Sequence, residues 1–149
     1  LERACDALAR AAAACGVRIG IEPEPGMLLE RIDEYLALCA ALGDSAPLGV
    51  TLDLGHCHSF EDDPAGECVH RVAGRIVNVH IEDARRGVHE HLDFGDGEIA
   101  FPPVLAALRA AGYRGLVCVE LSRHSHVAHV TVPRAIGYLR AAERQAVAA

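Results

Sequence analysis

A potential metal ligand stands at or near the end of each of four strand-like segments, and this recurrence leaves few folds open to the chain. The segments are VRIGIE, which ends in Glu22, GVTLD, which ends in Asp53, IVNVHIE, which contains His80, and LVCVEL, which contains Glu120. The ligands are 31, 27 and 40 residues apart, about the length of a strand, a loop, a helix and a return loop. Side by side in a parallel sheet, these segments would bring three carboxylates and an imidazole to one edge.

Helix and strand patterns alternate along the whole chain. Apolar periodicity predicts helices over 1–15, 27–42, 64–73, 102–111 and 131–146, and strands over 17–22, 48–54, 75–81 and 116–121. Because no linker separates these elements, we expect a single domain over residues 1–149. A strand, loop and helix repeated four times predicts a parallel sheet with right-handed crossovers.

The two faces of the predicted sheet differ in polarity, which favours a barrel over an open sheet. The residues two positions before the four ligands are small and mostly polar, namely Gly20, Thr51, Asn78 and Cys118. The opposite face is branched and apolar, with Val50, Leu52, Val77, Val79, Val117 and Val119 among its members. An open doubly wound sheet would be apolar on both faces and would usually offer a glycine-rich phosphate turn, which the PEPG after the first strand does not supply.

Loop lengths indicate the same architecture. Returns from helix to strand are short, whereas long polar segments such as GHCHSFEDDP and EDARRGVHEHLDFGDGE follow the strands. A (β/α)8 barrel needs about 250 residues and eight strands, and four strands are found here. We therefore predict an α/β fold of TIM-barrel type, present as the C-terminal half with strands five to eight. The chain begins at Leu1 rather than Met, so we expect a piece of a longer barrel whose open edges favour homo-oligomers.

Charge and composition indicate a small-molecule partner. The formal net charge is −7 and no run of basic residues is present, which argues against nucleic acid and against an anionic membrane. No apolar run reaches the roughly 20 residues of a membrane span, and we expect a cytoplasmic protein. The six cysteines form no CxxC pair and are predicted to be structural, with Cys57 as the one candidate for reactivity or metal binding.

Five segments in this order resemble the xylose isomerase-like barrels, a group that includes ketose 3-epimerases, sugar phosphate isomerases or epimerases and endonuclease IV. The segments are IEPEPG, TLDLGHCHSF with its D-x-x-H, VNVHIEDARRG, HEHLDFGDGEIAFP and VELSRHSH. The likeness covers nearly the whole chain. In the epimerase branch the metal is held by Glu, Asp, His and Glu of strands five to eight, which implies Glu22, Asp53, His80 and Glu120 as metal ligands here.

The resemblance implies a divalent-metal-dependent isomerase or epimerase that acts on a small sugar or sugar phosphate through an enediolate intermediate. Oxygen ligands with one imidazole suit Mn²⁺, Mg²⁺ or Co²⁺, with Zn²⁺ as a further option. By the same resemblance, Glu22 and Glu120 would be the catalytic acid and base. His56 and Arg86 match the family's substrate-binding histidine and arginine.

Neighbouring residues offer alternatives for two of these roles. Glu24 competes with Glu22, although Pro23 and Pro25 place Glu24 in a loop. Arg85 competes with Arg86 on equal terms.

His89 and His91 are candidates for an additional metal. Endonuclease IV has an Asp-x-His in the corresponding loop before a G-x-G, and here the two histidines precede GDG at 95–97. The second hypothesis is therefore a zinc phosphodiesterase acting at abasic DNA, although the acidic balance counts against it. A third hypothesis is a non-catalytic half-barrel module whose ligands are relics.

Overall fold

The computed structural model describes residues 1–43 and 48–148 as a parallel sheet with flanking helices. The strands are β1 (Ile19–Ile21), β2 (Leu48–Asp53), β3 (Ile76–Ile81) and β4 (Val117–Val119). The helices are α1 (Glu2–Cys15), α2 (Ile32–Leu42), α3 (Leu54–Phe60), α4 (Ala65–Arg71), α5 (Phe101–Ala110) and α6 (Ala128–Ala148), with a 3-10 helix at Ser122–Val127. None of the helices in the described part of the chain is long and apolar enough to cross a membrane.

The four strands are parallel and lie in the order β1-β2-β3-β4. Each strand therefore pairs with its successor in the chain, and all carboxyl ends meet at one edge of the sheet. Asp53 and His80 are direct partners across β2 and β3. The predicted fold class, the TIM-barrel type with four β/α units, is confirmed.

The apolar core lies between the outward face of the sheet and the helices. Val50, Leu52, Val79 and Ile81 of the two central strands are fully buried and pack with Phe101 of α5. Burying a side chain of this size contributes about 1.5–3 kcal/mol. This packing holds the two central strands firmly and so fixes the positions of Asp53 and His80 at the carboxyl edge of the sheet.

Three valines of the predicted apolar face lie outside the buried core. Val117 and Val119 of β4 are 39% and 37% exposed, because β4 is the last strand and the neighbouring helices cover it incompletely. Val77 is turned inward at an irregularity in the β2–β3 register, where it packs against the positions of Gly20 and Gly49. A bulge of this kind shifts a side chain to the other face of the strand.

Two helix boundaries also differ from the predictions. Helix α2 begins at Ile32 instead of residue 27, because the Glu34 carboxylate accepts the backbone N–H groups of Glu30 and Arg31 and so fixes the first turn there. The segment after β2, predicted as a loop, contains helix α3. Its N-cap is Asp53, whose carboxylate accepts the backbone N–H of His56 at 2.7 Å.

Candidate metal centre

The four predicted ligands converge at the carboxyl edge of the sheet. Glu22 and Glu120 follow β1 and β4, Asp53 ends β2, and His80 lies one residue before the end of β3. One ligand atom from each lies within 4.8 Å of every other. The structure therefore brings together the four side chains on which the sequence argument depends.

The imidazole of His80 stands between two of the carboxylates. Its Nδ1 is 2.9 Å from Glu22 Oε1 and 2.6 Å from Glu120 Oε2. A single nitrogen carries at most one proton and can satisfy only one carboxylate by donation. A cation in place of that proton would interact favourably with all three atoms.

Buried oxygens without partners support the same conclusion. Asp53 is 2% exposed, and while its Oδ1 caps α3, its Oδ2 has no hydrogen-bond partner among the described residues. Oε2 of Glu120 also lacks a partner with hydrogen-bond geometry. Burial raises the pKa of Glu22, an effect that His80 opposes and Asp53 reinforces. Because unpaired buried carboxylates are costly, this donor set fits a divalent cation.

A second group of ligand atoms adjoins the first and contains a residue that sequence reasoning missed. Asp53, Glu82 and His91 also offer ligand atoms within 4.8 Å of one another. Glu82 is 0% exposed, and burial raises its pKa to about 8. The Glu82 carboxylate, whose Oε1 lies 3.4 Å from His91 Nδ1, in turn raises the pKa of that imidazole to about 9. The signal in the sequence was the period of two, because Glu82 follows His80 by two residues and shares its face of β3.

The structure also groups three histidines, including both candidates for an additional metal. His56, His89 and His91 offer ring nitrogens within 4.8 Å of one another. His56 Nε2 lies 3.1 Å from His89 Nε2, and His56 Nδ1 lies 3.3 Å from the Pro23 carbonyl. Burial lowers the pKa of His56, which favours a neutral ring. Its predicted role in substrate binding stays a prediction.

Arg86 makes structural contacts instead of contacts with the ligand group. Its guanidinium donates to the backbone carbonyls of His58 at 2.6 Å, Asp62 at 3.3 Å and Glu61. Arg85, the competing residue, donates to Glu90 and to the Asp96 carbonyl. The predicted substrate-binding role of Arg86 therefore has no support in its contacts and stays a prediction.

Asp83 organises the long loop that carries the histidines. Its carboxylate accepts the backbone N–H groups of Ala84, Gly95 and Ile99 at 2.9 to 3.1 Å. Asp83 also pairs with Leu92 in an isolated antiparallel bridge. These bonds hold the loop against the end of β3 and so place His89 and His91 beside the ligand group.

Two remaining candidates lie outside the four-ligand group. Glu24, the alternative to Glu22, lies 4.0 Å from His89 and belongs to none of the ligand groups found among the described residues. Cys57 is buried in α3, where a hydrogen bond with Cys68 and burial raise the pKa of its thiol. A protonated buried thiol is a poor nucleophile, so Cys57 is structural.

Comparison with known proteins shows the family and the fold of the chain. The sequence model of the family described as xylose isomerase-like TIM barrel matches residues 1–144. The chain is 31% identical to the rhizopine catabolism protein MocC of Rhizobium meliloti, over 95% of the chain and 48% of that protein. It is 33% identical to an inosose dehydratase of Geobacillus kaustophilus, over 86% of the chain and 47% of that protein.

Solved structures with the same fold are also found. An L-ribulose 3-epimerase superposes with a TM-score of 0.77 at 23% identity, covering 99% of the chain and 55% of the epimerase. A xylose isomerase domain protein from Planctomyces limnophilus gives the same TM-score at 20% identity, covering 99% of the chain and 52% of that protein. The chain spans about half the length of the curated relatives and structures it matches.

Proposed function

The chain belongs to the xylose isomerase-like TIM-barrel family, and on that premise we propose that it supplies the metal-binding half of a divalent-metal-dependent isomerase or epimerase. The substrate is a small sugar or sugar phosphate. The observation that carries the proposal is the meeting of Glu22, Asp53, His80 and Glu120 within 4.8 Å at the ends of four strands. Three carboxylates and one imidazole suit Mn²⁺, Mg²⁺ or Co²⁺, with Zn²⁺ as a further option.

The role of the cation follows from its charge. When bound, it withdraws electrons from a substrate carbonyl and stabilises the negative charge that develops on the oxygen. The proposed carboxylate ligands lie close together with no lysine or arginine paired to them among the described residues, where their ion-pair partners are histidines.

Glu22 and Glu120 are the proposed acid and base. They follow the two outermost strands of the described sheet, so they approach a substrate at the centre of the edge from different sides. One carboxylate removes a proton from the carbon beside the carbonyl, which leaves an enediolate. The other carboxylic acid returns a proton to the opposite face, which gives the epimer, or to the neighbouring carbon, which gives the isomer.

The test is exchange of a substrate C–H proton with solvent. The complete gene product is incubated in D₂O with a panel of ketoses and ketose phosphates, and deuterium incorporation is followed by NMR. We expect Glu120→Gln to lower the exchange rate by about 10²–10⁴-fold, because it removes a proton-transfer group while keeping the side chain's shape.

The matched control is Glu61→Gln, which changes a buried glutamate outside the site. Glu61 binds the Ile32 N–H and Arg71 and touches none of the proposed ligands. The Glu61→Gln variant should therefore exchange the substrate proton at the wild-type rate. Full exchange in folded Glu120→Gln would refute the assignment of this residue.

The same proton removal has a second outcome, the loss of water. The match to an inosose dehydratase covers 86% of the chain, against 46% for an L-ribulose-5-phosphate 3-epimerase of Salmonella paratyphi C. In a dehydration, the base takes the proton beside the carbonyl and the acid protonates the departing hydroxyl of the next carbon, so that water leaves. Product analysis distinguishes dehydration from isomerisation or epimerisation, since only dehydration yields a product that has lost one molecule of water.

The three-histidine group favours one alternative of a different class, a zinc phosphodiesterase. His56, His89 and His91 together offer the nitrogen ligands that Zn²⁺ accepts. This alternative expects about three zinc ions in the complete gene product and incision of DNA at abasic sites. Absence of incision in zinc-loaded protein would eliminate it.

A further inference from the structure

We propose a second cation site formed by Asp53, Glu82 and His91, with Asp53 shared between this site and the four-ligand centre. The inference rests on the proposed function for the first cation and adds a ligand, Glu82, that the first centre does not use. The occupant is a divalent cation that accepts carboxylate oxygens together with one imidazole nitrogen.

Glu82 carries the argument because its carboxyl group is buried and its one ion-pair partner among the described residues is His91. Its side chain is 1% exposed, and neither Oε1 nor Oε2 has a hydrogen-bond partner among the described residues. A buried carboxylate without partners costs several kcal/mol, so such groups are usually paired or coordinate metals. Strand alternation directs Glu82 to the same face as His80, towards the ligand group.

The atoms around Glu82 also lack partners. Nδ1 of His91 lies 3.4 Å from Glu82 Oε1 and makes no hydrogen bond that meets geometric criteria. Asp53 Oδ2 is buried and equally free of hydrogen bonds. These three residues therefore carry four buried atoms without a hydrogen-bond partner among the described residues, and one ligand atom from each residue lies within 4.8 Å of the other two. A single cation would satisfy one atom of each residue together.

The local charge supports two cations over one. Glu22, Asp53, Glu82 and Glu120 carry four negative charges when ionised, and histidines are their ion-pair partners in the described residues. When all four carboxylates are ionised, one divalent ion balances two of their charges, whereas two divalent ions balance all four. Asp53 belongs to both ligand groups, so its carboxylate is placed to bridge the two ions.

The three-histidine group is the weaker place for the second ion, although it shares His91. His56 and His89 already contact each other through their Nε2 atoms at 3.1 Å, and His56 Nδ1 faces the Pro23 carbonyl. One proton between the two rings satisfies this pair without a metal.

The test is the number of Mn²⁺ ions bound by the complete gene product. Protein stripped with a chelator is titrated with Mn²⁺ alone, and the bound ions are counted by equilibrium dialysis and examined by EPR. We expect two ions per chain and an exchange-coupled EPR signal, because a bridging carboxylate holds two ions about 3.5–4 Å apart. Glu82→Gln and His91→Gln should each lose one ion and the exchange-coupled signal.

Matched variants separate this site from its neighbours. Glu61→Gln, a buried glutamate outside both centres, should retain two ions, and circular dichroism verifies that each variant is folded. One ion in the wild type, or two in folded Glu82→Gln and His91→Gln, would overturn the inference. Loss of the second ion in His56→Gln and His89→Gln with its retention in Glu82→Gln would place it among the histidines and also overturn it.

Failure of this inference is distinguishable from failure of the proposed function. A wild type that binds one ion and exchanges substrate protons with solvent overturns the second site and leaves the proposed function standing. Two ions that fall to one in Glu82→Gln, with no proton exchange on any sugar, support the site and refute the proposed function.

Discussion

Two buried glutamates have different surroundings: Glu61 lies among the helices with several partners, and Glu82 lies at the carboxyl edge of the sheet with few. Glu61 lies among the helices, 7% exposed, where it accepts the Ile32 N–H at 2.7 Å and pairs with Arg71 at 3.3 Å. Glu82 lies at the carboxyl edge of the sheet, 0% exposed, and in the described part of the chain neither of its oxygens accepts a hydrogen bond, with only His91 as an ion-pair partner at 3.4 Å. The helical region provides partners for its buried carboxylate from within the chain, whereas the carboxylate at the edge of the sheet has no hydrogen-bond partner among the described residues and is a proposed metal ligand.

The difference between Glu61 and Glu82 indicates that the contacts among the helices stabilise the fold, whereas the edge of the sheet carries the proposed site. Arg71 connects Glu61 to Asp33 and Asp63 and so links α2 to the segment between α3 and α4. Such a network holds helices together and needs nothing further. The proposed metal centre would gain its full stability only when bound ions compensate its carboxylates, a compromise that is common at functional sites.

The largest expected effect is a loss of stability of the metal-free protein as pH rises. Burial raises the folded-state pKa of Glu82 to about 8 from 4.5, so between these values the folded state keeps a proton that the unfolded chain has released. Unfolding free energy should therefore fall with rising pH, by on the order of 4 kcal/mol across this window. The pKa of His91, raised to about 9 from 6.5, acts in the same direction.

The measurement is urea unfolding in a chelator at pH 5, 7 and 9, with Glu82→Gln as the comparison. The variant should lose much of the pH dependence and be more stable than the wild type at pH 9. Equal slopes in the two proteins would contradict the account of Glu82. Added Mn²⁺ should reduce the trend in the wild type, because cation binding needs the deprotonated ligands.

A second expected effect comes from crowding at Gly55. A Cβ on Gly55 would lie 2.0 Å from Glu82 Oε1, so Gly55→Ala must displace the Glu82 carboxylate. We expect destabilisation of about 1–3 kcal/mol and weaker binding of the second Mn²⁺ ion. Gly66→Ala, in helix α4, is the control, since its nearest neighbour would be at 3.7 Å. Thermal unfolding and dialysis check both variants, and identical Mn²⁺ binding in the two would contradict this reasoning.

The smallest expected effect is that of Glu61→Gln on stability. The amide can still accept the Ile32 N–H, and Arg71 retains Asp33 and Asp63, so only one ion pair is weakened. We expect a loss of about 1 kcal/mol in unfolding free energy, opposite in sign to the gain from Glu82→Gln at pH 9. Urea unfolding of the two variants compares them directly, and the same sign for both would remove the contrast between the regions.

The juxtaposition of Glu22, Asp53, His80 and Glu120 could be predicted because parallel strands have a simple geometry. Alternation assigns a face to each strand residue, and the shared direction of the strands assigns an edge. Exposure of Val117 and Val119 could not be predicted, since it depends on how closely helices lie against the last strand. The inward direction of Val77 could not be predicted either, because the sequence does not show where a bulge interrupts the alternation of a strand.

The burial of Glu82 could not be predicted from strand alternation. Its face was readable from His80, but its burial was not. That burial depends on helix α3 bringing Gly55 against the carboxylate and on Asp83 holding the following loop in place. The sequence predicts a loop in place of helix α3, because a helix of seven residues is too short to show the apolar periodicity by which helices are recognised.

The order of residues by itself determined the parallel sheet and the meeting of four ligands, because both depend on local periodicity and spacing, and five of its segments carried the resemblance to the family. Only the tertiary structure decided which charges are left without partners, because a hydrogen-bond partner can come from any element that packs nearby. Glu61 and Glu82 have the same side chain, and their neighbours alone make one a structural link and the other a proposed ligand.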